Sequence, residues 1–159
     1  MLKRIAKSSV KSSGGTFAIV ASQYNGRYVD AMLKAAQREL KNAGAKVRIV
    51  RVPGAFEIPA IAAKLASLEP KPAAILCLGV IFQGQTSHAQ HIGWGVTHAL
   101  AQIQIQHKLP VIHGVFVFEN EEHARVRCLG KEHNRGGEAA LTALEMARVM
   151  VALKPGSKA

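Results

Sequence analysis

The apolar residues of this chain follow two patterns that alternate along its length. Apolar runs typical of buried strands cover residues 16–21, 73–82 and 111–117, and apolar and polar residues alternate over 46–51. Between these runs, apolar residues recur three and four positions apart. That spacing predicts helices that end near residues 43, 65, 107 and 128, and a last helix over about 140–151.

This alternation predicts an α/β fold. Parallel strands joined by helices need right-handed crossovers, which place helices on both faces of the sheet. We expect a three-layer, flavodoxin-like sandwich whose four parallel strands have the order 2-1-3-4. One domain would span 16–154, with a flexible basic arm at 1–15 and a tail at 155–159. The basic, serine-rich composition of residues 1–15 also occurs in transit peptides, but a flexible arm, able to dock on a neighbouring subunit, is the interpretation we favour.

The composition agrees with this fold and limits the classes of partner that the protein is expected to bind. Hydrophobic residues make up 48% of the chain and aromatic residues 5%, which suits helices packed on a parallel sheet. The net charge of +11 indicates either a phosphorylated substrate or other polyanion, or only a solubilising surface. No nucleic-acid-binding module is recognisable, so nucleic acid is not an expected partner. No apolar stretch has membrane-spanning length, and Cys77 and Cys128 give no disulfide framework, so we expect a cytoplasmic protein without a membrane partner.

Polar and aromatic residues follow each predicted strand. In an open parallel sheet, ligands bind outside the carboxyl ends of the strands. An aromatic ring, a carboxylate, amide donors, a histidine and an arginine at that edge suit a flat polar heterocycle beside a phosphate. These residues are Tyr24 and Asn25 after the first strand, Ala55, Phe56 and Glu57 after the second, Gly84, Gln85, Thr86 and His88 after the third, and Glu119 and Arg127 after the fourth.

The turn after the third strand predicts an anion site. Thr86 or Ser87 can cap the helix that follows the glycine turn, and the free N–H groups and positive dipole end of that helix favour a bound anion. His88, in the first helical turn, can transfer protons beside the anion. No metal site is expected, although His88 and His91 share this helix, because no known metal-ligand spacing occurs.

Four segments, in order, resemble the lumazine synthase family. Residues 52–59, V-P-G-A-F-E-I-P, are similar to its V-P-G-A-[FY]-E-[IL]-P segment, and residues 78–88, L-G-V-I-F-Q-G-Q-T-S-H, resemble L-G-x-V-I-[RK]-G-x-T-x-H. Residues 110–127 resemble P-V-x-[FN]-G-[VI] followed by E-N-x-E-Q-A-x-x-R, and residues 134–140 resemble N-K-G-x-E-A-A. These ordered motifs span about residues 17–151, which is most of the chain.

The resemblance implies a specific reaction. Family members condense 5-amino-6-ribitylaminouracil with dihydroxybutanone phosphate to 6,7-dimethyl-8-ribityllumazine, the step before riboflavin, and need no cofactor or metal. It implies that Tyr24 stacks on the pyrimidine and that Glu57 holds ribityl hydroxyls. Backbone groups of Ala55, Phe56 and Glu57, and of Val80, Ile81 and Phe82, would bind the uracil and ribityl parts.

The second substrate would lie on the predicted anion site. The resemblance implies that the N–H groups of Gln85 and Thr86 and the guanidinium of Arg127 hold the phosphate. His88 would shuttle protons during imine formation, phosphate loss and ring closure.

The resemblance also implies a homo-oligomer with active sites between subunits. Lumazine synthases form pentamers, and some form larger shells of pentamers. His113 matches the family position that faces the neighbour's substrate, and Trp94 is expected to be a core or subunit contact. The chain departs from the family at His113, where an aromatic residue is usual, at Gln83, where a basic residue is usual, and at Arg135, where a lysine is usual. We count Arg135 among the substrate-binding residues.

Three functions follow from these observations. The first is an active lumazine synthase, from the ordered motifs. The second is a family member that mainly binds a flavin or lumazine, from His113 and Gln83. The third is a basic module that binds phosphate or nucleic acid, from the charge.

Overall fold

A four-stranded parallel sheet with the order β2-β1-β3-β4 forms the centre of the computed structural model, which describes residues 11–157. This order and the all-parallel pairing are the ones predicted. Residues 1–10 of the predicted arm and 158–159 of the tail lie outside the described residues. The strands are β1 (Thr16–Ser22), β2 (Lys46–Val52), β3 (Ala74–Phe82) and β4 (Val111–Phe118).

In the described part of the chain, five α-helices flank the two faces of the sheet. The 3₁₀ turn Ala55–Glu57 leads into the second of them, and the π-helical turn Arg125–Leu129 follows the fourth. Within the described range, no helix is both long enough and apolar enough to cross a membrane. The helices are α1 (Gly26–Asn42), α2 (Ile58–Ala66), α3 (His88–His107), α4 (Glu121–Ala124) and α5 (Arg135–Ala152).

Alternate residues of each strand supply two separate cores, because side chains of a strand point to opposite faces in turn. Phe17, Ile19 and Leu76 pack with α1 and α5 on one face. Ala18 and Ile75 pack with α2 and α3 on the other. We call these the α1/α5 face and the α2/α3 face. Both faces of the sheet are therefore closed to solvent over most of its area, and functional groups are confined to its edges.

The predicted polar loop at residues 130–137 is too long, because α5 begins at Arg135. The Asn134 side chain caps this helix by accepting from the N–H of Gly136 at 2.9 Å. A Cβ at Gly136 would lie 1.9 Å from the carbonyl oxygen of Met32, so only glycine allows this close approach of α5 to α1. The glycine therefore serves helix packing, whereas the sequence interpretation took it as a loop signal.

Both cysteines are shielded from solvent. Cys77 in β3 and Cys128 beside α5 are free and buried, as expected for Cys77. Burial raises the pKa of both thiols, to about 12 for Cys128.

Trp94 on α3 is 73% exposed, so its interpretation as a core residue is wrong. The alternative interpretation, a contact between subunits, stays a prediction.

Candidate active site

The first group at the carboxyl edge follows β1. Asn25 has a left-handed backbone (φ 57°) and turns the chain directly into α1. Its side-chain N–H donates to the carbonyl oxygen of Val80 at 2.7 Å. This carbonyl lies beyond Leu78, where the pairing of β1 with β3 ends. Asn25 thus extends the β1–β3 connection by one side-chain bond.

Tyr24 presents its ring to solvent at this edge. The side chain is 68% exposed, and the backbone N–H is held by the carbonyl oxygen of Pro53 at 3.0 Å. A Cβ built on Gly54 would lie 3.0 Å from Cδ2 of Tyr24, so the ring rests on the backbone of the turn that follows β2. The glycine therefore sets how closely the aromatic ring approaches this turn.

The turn after β2 places a carboxylate beside Tyr24 and a second aromatic ring next to α3. Oε2 of Glu57 accepts from the N–H of Gly54 at 2.8 Å, which orients the carboxylate at the start of the 3₁₀ turn. Phe56 is 64% exposed and lies next to α3, where a Cβ at Gly95 would be 3.9 Å from its ring. Ala55 between the strand and these side chains is buried.

A glycine in β3 and a buried serine in β1 allow this turn to sit on the sheet. A Cβ at Gly79 would lie 3.2 Å from Ile58, 3.4 Å from Ala55 and 3.4 Å from Oγ of Ser22. The Ser22 hydroxyl is buried and has no hydrogen-bond partner in the described part of the chain. This pair could not be predicted from the sequence, because small residues inside an apolar run carry no local signal.

Gln83 organises the turn that follows β3. Its backbone N–H donates to the carbonyl oxygen of Phe118 at 2.8 Å, which ties the end of β3 to the end of β4. Its side-chain Nε2 donates to the carbonyl oxygens of Thr86 at 2.7 Å and of Gly84 at 3.2 Å. The side chain is half-buried, whereas Gly84, Gln85 and Thr86 are exposed. Ile81 and Phe82, just before this turn, are half-buried, and Val80 is buried.

The helix predicted from this turn begins at His88. Ser87 occupies the cap position without a capping bond from its side chain, and Oγ1 of Thr86 accepts a long bond of 3.4 Å from the N–H of His88. The first backbone bond of the helix joins the N–H of His91 to the carbonyl oxygen of Ser87 at 3.0 Å. Apart from that of His88, the backbone N–H groups of this helix start are therefore left for a ligand, and the exposed His88 side chain lies beside them.

Two arginines of the predicted site lie on the other face of the sheet. Arg127 belongs to the π-helical turn whose Cys128 packs in the core of the α1/α5 face. The guanidinium carbon of Arg135 lies 5.8 Å from the ring centre of Phe116, and its Nη1 donates to Oε2 of Glu138 at 2.7 Å. No hydrogen bond or ion pair within residues 11–157 joins Arg127 to the Gln83–His88 turn. The sheet thus divides the predicted residues into two groups.

His113 is the third residue of β4, away from the carboxyl end of the strand, and pairs with Cys77 of β3. Its Nε2 is 2.8 Å from the hydroxyl of Thr97 on α3. Its ring meets that of Phe116 edge to face at 6.5 Å between centres. Because β4 is an outer strand of the sheet, a line of side chains from Thr97 through His113 and Phe116 to Arg135 crosses its open edge.

A cavity of about 440 Å³ lies next to this line, between α3 and β4, and its lining is mostly apolar. Trp94, Val115 and Val117 contribute to it, with Thr97 and His98. No group of three or more metal-ligating side chains occurs in the described residues. The arrangement offers aromatic rings, a carboxylate, a histidine and backbone N–H groups at one edge, and two guanidinium groups across the sheet.

Most of the chain matches known proteins of one family. The family model described as 6,7-dimethyl-8-ribityllumazine synthase matches residues 14–151. Curated proteins with that same name from Stenotrophomonas maltophilia (strain R551-3) and Xylella fastidiosa (strain 9a5c) are 39% and 38% identical over 137 and 144 residues. The alignments cover 84% and 89% of this chain and 88% and 93% of those proteins. A protein of that name from Xanthomonas campestris pv. campestris (strain B100) is 38% identical over 84% of this chain.

Proposed function

This chain belongs to the 6,7-dimethyl-8-ribityllumazine synthase family, and on that premise we propose that the carboxyl edge of its sheet binds the two substrates of that synthesis. The chain is a transferase of riboflavin biosynthesis that forms 6,7-dimethyl-8-ribityllumazine. The observation that carries the proposal for the edge is that the family match covers every strand–helix connection from β1 to α5.

The pyrimidine half of the site is the surface formed by Tyr24, Phe56 and Glu57. Tyr24 offers an exposed ring face for stacking on a flat heterocycle. The Glu57 carboxylate, oriented by Gly54, accepts hydrogen bonds from ribityl hydroxyls. Backbone groups of Ala55 to Glu57 and of Val80 to Phe82 bind the uracil ring and the ribityl chain, with the carbonyl of Val80 shared with Asn25.

The phosphate half is the turn between Gln83 and His88. The N–H groups of Gln85 and Thr86 and the positive end of the α3 dipole bind the phosphate of the butanone substrate. A guanidinium can then bind two phosphate oxygens at once and stabilise the leaving group as phosphate is eliminated. We assign that role to Arg127, with Arg135 as a second substrate contact.

His88 transfers the protons of the reaction. The amine of the pyrimidine attacks the ketone of the butanone phosphate, and the water lost on imine formation needs a proton donor. The same imidazole then accepts a proton before phosphate leaves, and returns it on ring closure. A positioned acid–base contributes roughly 10² to 10⁴ in rate, and holding both reactants together contributes up to about 7–11 kcal/mol.

We further propose that the site is completed by a second copy of the chain in a homopentamer, alone or within a larger assembly. Arg127 and Arg135 lie across the sheet from the turn before His88, so one chain presents the two halves on different faces. The exposed Trp94 and the apolar cavity beside it give α3 and β4 a surface for a partner. His113 on the open edge of β4 would then face the neighbour's substrate.

We place the reaction in the cytoplasm, a location supported by two free thiols rather than disulfides. The deciding experiment mixes the two substrates with the protein and follows the fluorescence of the lumazine product. No product above the uncatalysed rate would refute the proposed site chemistry. Light scattering of the same sample reports the assembly, and a monomer would refute the shared site.

A further inference from the structure

We infer that Gln83 is a positioning residue that aims the anion-binding N–H groups of the turn before α3, a role that rests on the proposed function of that turn. The family usually has a basic side chain at this position, which would offer charge. This chain has a neutral carboxamide whose Nε2 bonds two carbonyl oxygens of its own turn, at 2.7 Å to Thr86 and 3.2 Å to Gly84.

The direction of the bound carbonyls determines the direction of the N–H groups. In a trans peptide unit the C=O and the N–H point opposite ways. The carbonyl of Gly84 shares its peptide unit with the N–H of Gln85, and the carbonyl of Thr86 shares its unit with the N–H of Ser87. By holding both carbonyls on its own side, Gln83 turns the N–H groups of Gln85 and Ser87 to the opposite side.

This arrangement adds Ser87 to the phosphate contacts and gives a reason for glutamine at position 83. The carboxamide holds two carbonyl oxygens, each with a partial negative charge, on its own side of the turn. They therefore point away from the side on which we propose that the phosphate binds. Because Gln83 is also tied to β4 through its backbone N–H and Phe118, the turn is fixed against the sheet. A turn fixed before the substrate arrives loses less conformational entropy on binding.

The test compares the KM values of the two substrates in variants of position 83. Gln83→Met keeps the length of the side chain and removes both donor hydrogens. We expect its KM for the butanone phosphate to rise about tenfold, the size typical of one to two lost hydrogen bonds, with the KM for the pyrimidine unchanged within about twofold. Gln83→Lys keeps a donor and is expected to retain a KM for the phosphate substrate at or below the wild-type value.

Two controls separate this role from a general loss of structure. Gln102→Met changes an exposed glutamine of α3 and should leave both KM values unchanged. If Gln83→Met does not fold, Gln83→Glu against Gln83→Lys gives the same comparison, because a carboxylate facing two carbonyl oxygens must release them. Equal KM values for the phosphate substrate in that pair, or equal increases for both substrates in Gln83→Met, would overturn the inference.

Calorimetric binding of inorganic phosphate distinguishes failure of this inference from failure of the proposed function. Weaker phosphate binding by Gln83→Met than by the wild type supports the positioning role even without turnover. Wild-type turnover together with unaltered phosphate binding and unaltered KM in Gln83→Met would overturn the positioning role alone.

Discussion

Nε2 of His113 lies 2.8 Å from the hydroxyl oxygen of Thr97, and that hydroxyl donates its own proton to the carbonyl oxygen of Gly93 at 2.8 Å. A hydroxyl has one proton to give, so the hydrogen between Thr97 and His113 must come from the imidazole. Thr97 on α3 therefore requires a hydrogen on Nε2 of His113. Partial burial also lowers the pKa of this imidazole, so the neutral ring predominates at neutral pH.

This lowered pKa predicts that stability depends on pH. As the pH falls below the ordinary value of 6.5, the unfolded chain binds a proton at position 113 before the folded chain does. The free energy of unfolding therefore decreases with falling pH in this window and rises again as pH increases. Urea denaturation at several pH values measures it. His113→Gln, which keeps a donor for Thr97, should show a shallower dependence, and the control His123→Gln, at an exposed position of α4, should not.

Replacement of Arg127 by alanine should weaken binding of the phosphate substrate. A lost charge-assisted contact raises the KM for the butanone phosphate by about 10- to 100-fold, with little change for the pyrimidine. Steady-state kinetics with each substrate varied in turn gives both values. Arg125→Ala is the matched control, because that side chain is exposed and paired with Glu122. Unchanged affinity for the butanone phosphate in Arg127→Ala would contradict the assignment.

His88→Ala should slow the reaction without abolishing substrate binding. Loss of a positioned acid–base reduces kcat by roughly 10² to 10⁴, while proximity of the two substrates preserves some rate. Single-turnover measurements of lumazine formation at saturating substrate report the chemical step. His107→Ala, at the other end of the same helix, serves as the control. A wild-type rate in His88→Ala would remove the histidine from the mechanism.

The turn around Gly54 predicts an effect on the pyrimidine alone. The backbone of Gly54 is extended (φ −127°), so alanine adds no backbone strain. Its Cβ would nevertheless lie 2.9 Å from Glu57 Oε2 and 3.0 Å from Tyr24, and both side chains must move. We expect the KM for the pyrimidine to rise about three- to tenfold, the worth of one aromatic contact. Gly95→Ala, whose Cβ meets only an ordinary contact at 3.9 Å, should leave it unchanged.

An acidic residue in place of Trp94 should reduce assembly. Trp94 is 73% exposed beside the cavity between α3 and β4, and a buried carboxylate at a subunit interface is costly. Light scattering of Trp94→Glu is expected to give a smaller particle than the wild type. Leu153→Glu is the matched control, because Leu153 is 74% exposed but lies after α5, away from that cavity. An unchanged particle mass in Trp94→Glu would place the interface elsewhere.

The fold could be predicted from the sequence because its signals are local and repeated. The run from Ala74 to Phe82 has the length and composition of a buried strand, and Gly44, with φ 75°, ends α1 where the sequence indicated. The start of α5 was missed for a physical reason. Gly136 is required by the backbone of Met32, a contact between distant segments that no local pattern contains.

The site divides in the same way. The placement of Tyr24, Glu57 and His88 after their strands followed from topology, and their roles came from the family resemblance. The contributions of Gly54 and Gln83 were not predicted, because both depend on contacts in the folded chain. Gly54 leaves room for the side chains of Tyr24 and Glu57, and Gln83 bonds carbonyl oxygens of its own turn. The separation of Arg127 from His88 by the sheet was missed. The order of strands and helices predicts that both residues follow the carboxyl end of a strand, but it does not predict on which face of the sheet each one lies.

The two cysteines make this chain convenient for site-specific labelling. Alkylating reagents react with thiolates, and both Cys77 and Cys128 are buried with raised pKa values. A cysteine introduced at an exposed position such as Gln102 would therefore take up a fluorophore selectively in the natural background, with neither native cysteine removed. Energy transfer between labelled copies would then report the association of subunits directly, at concentrations too low for light scattering.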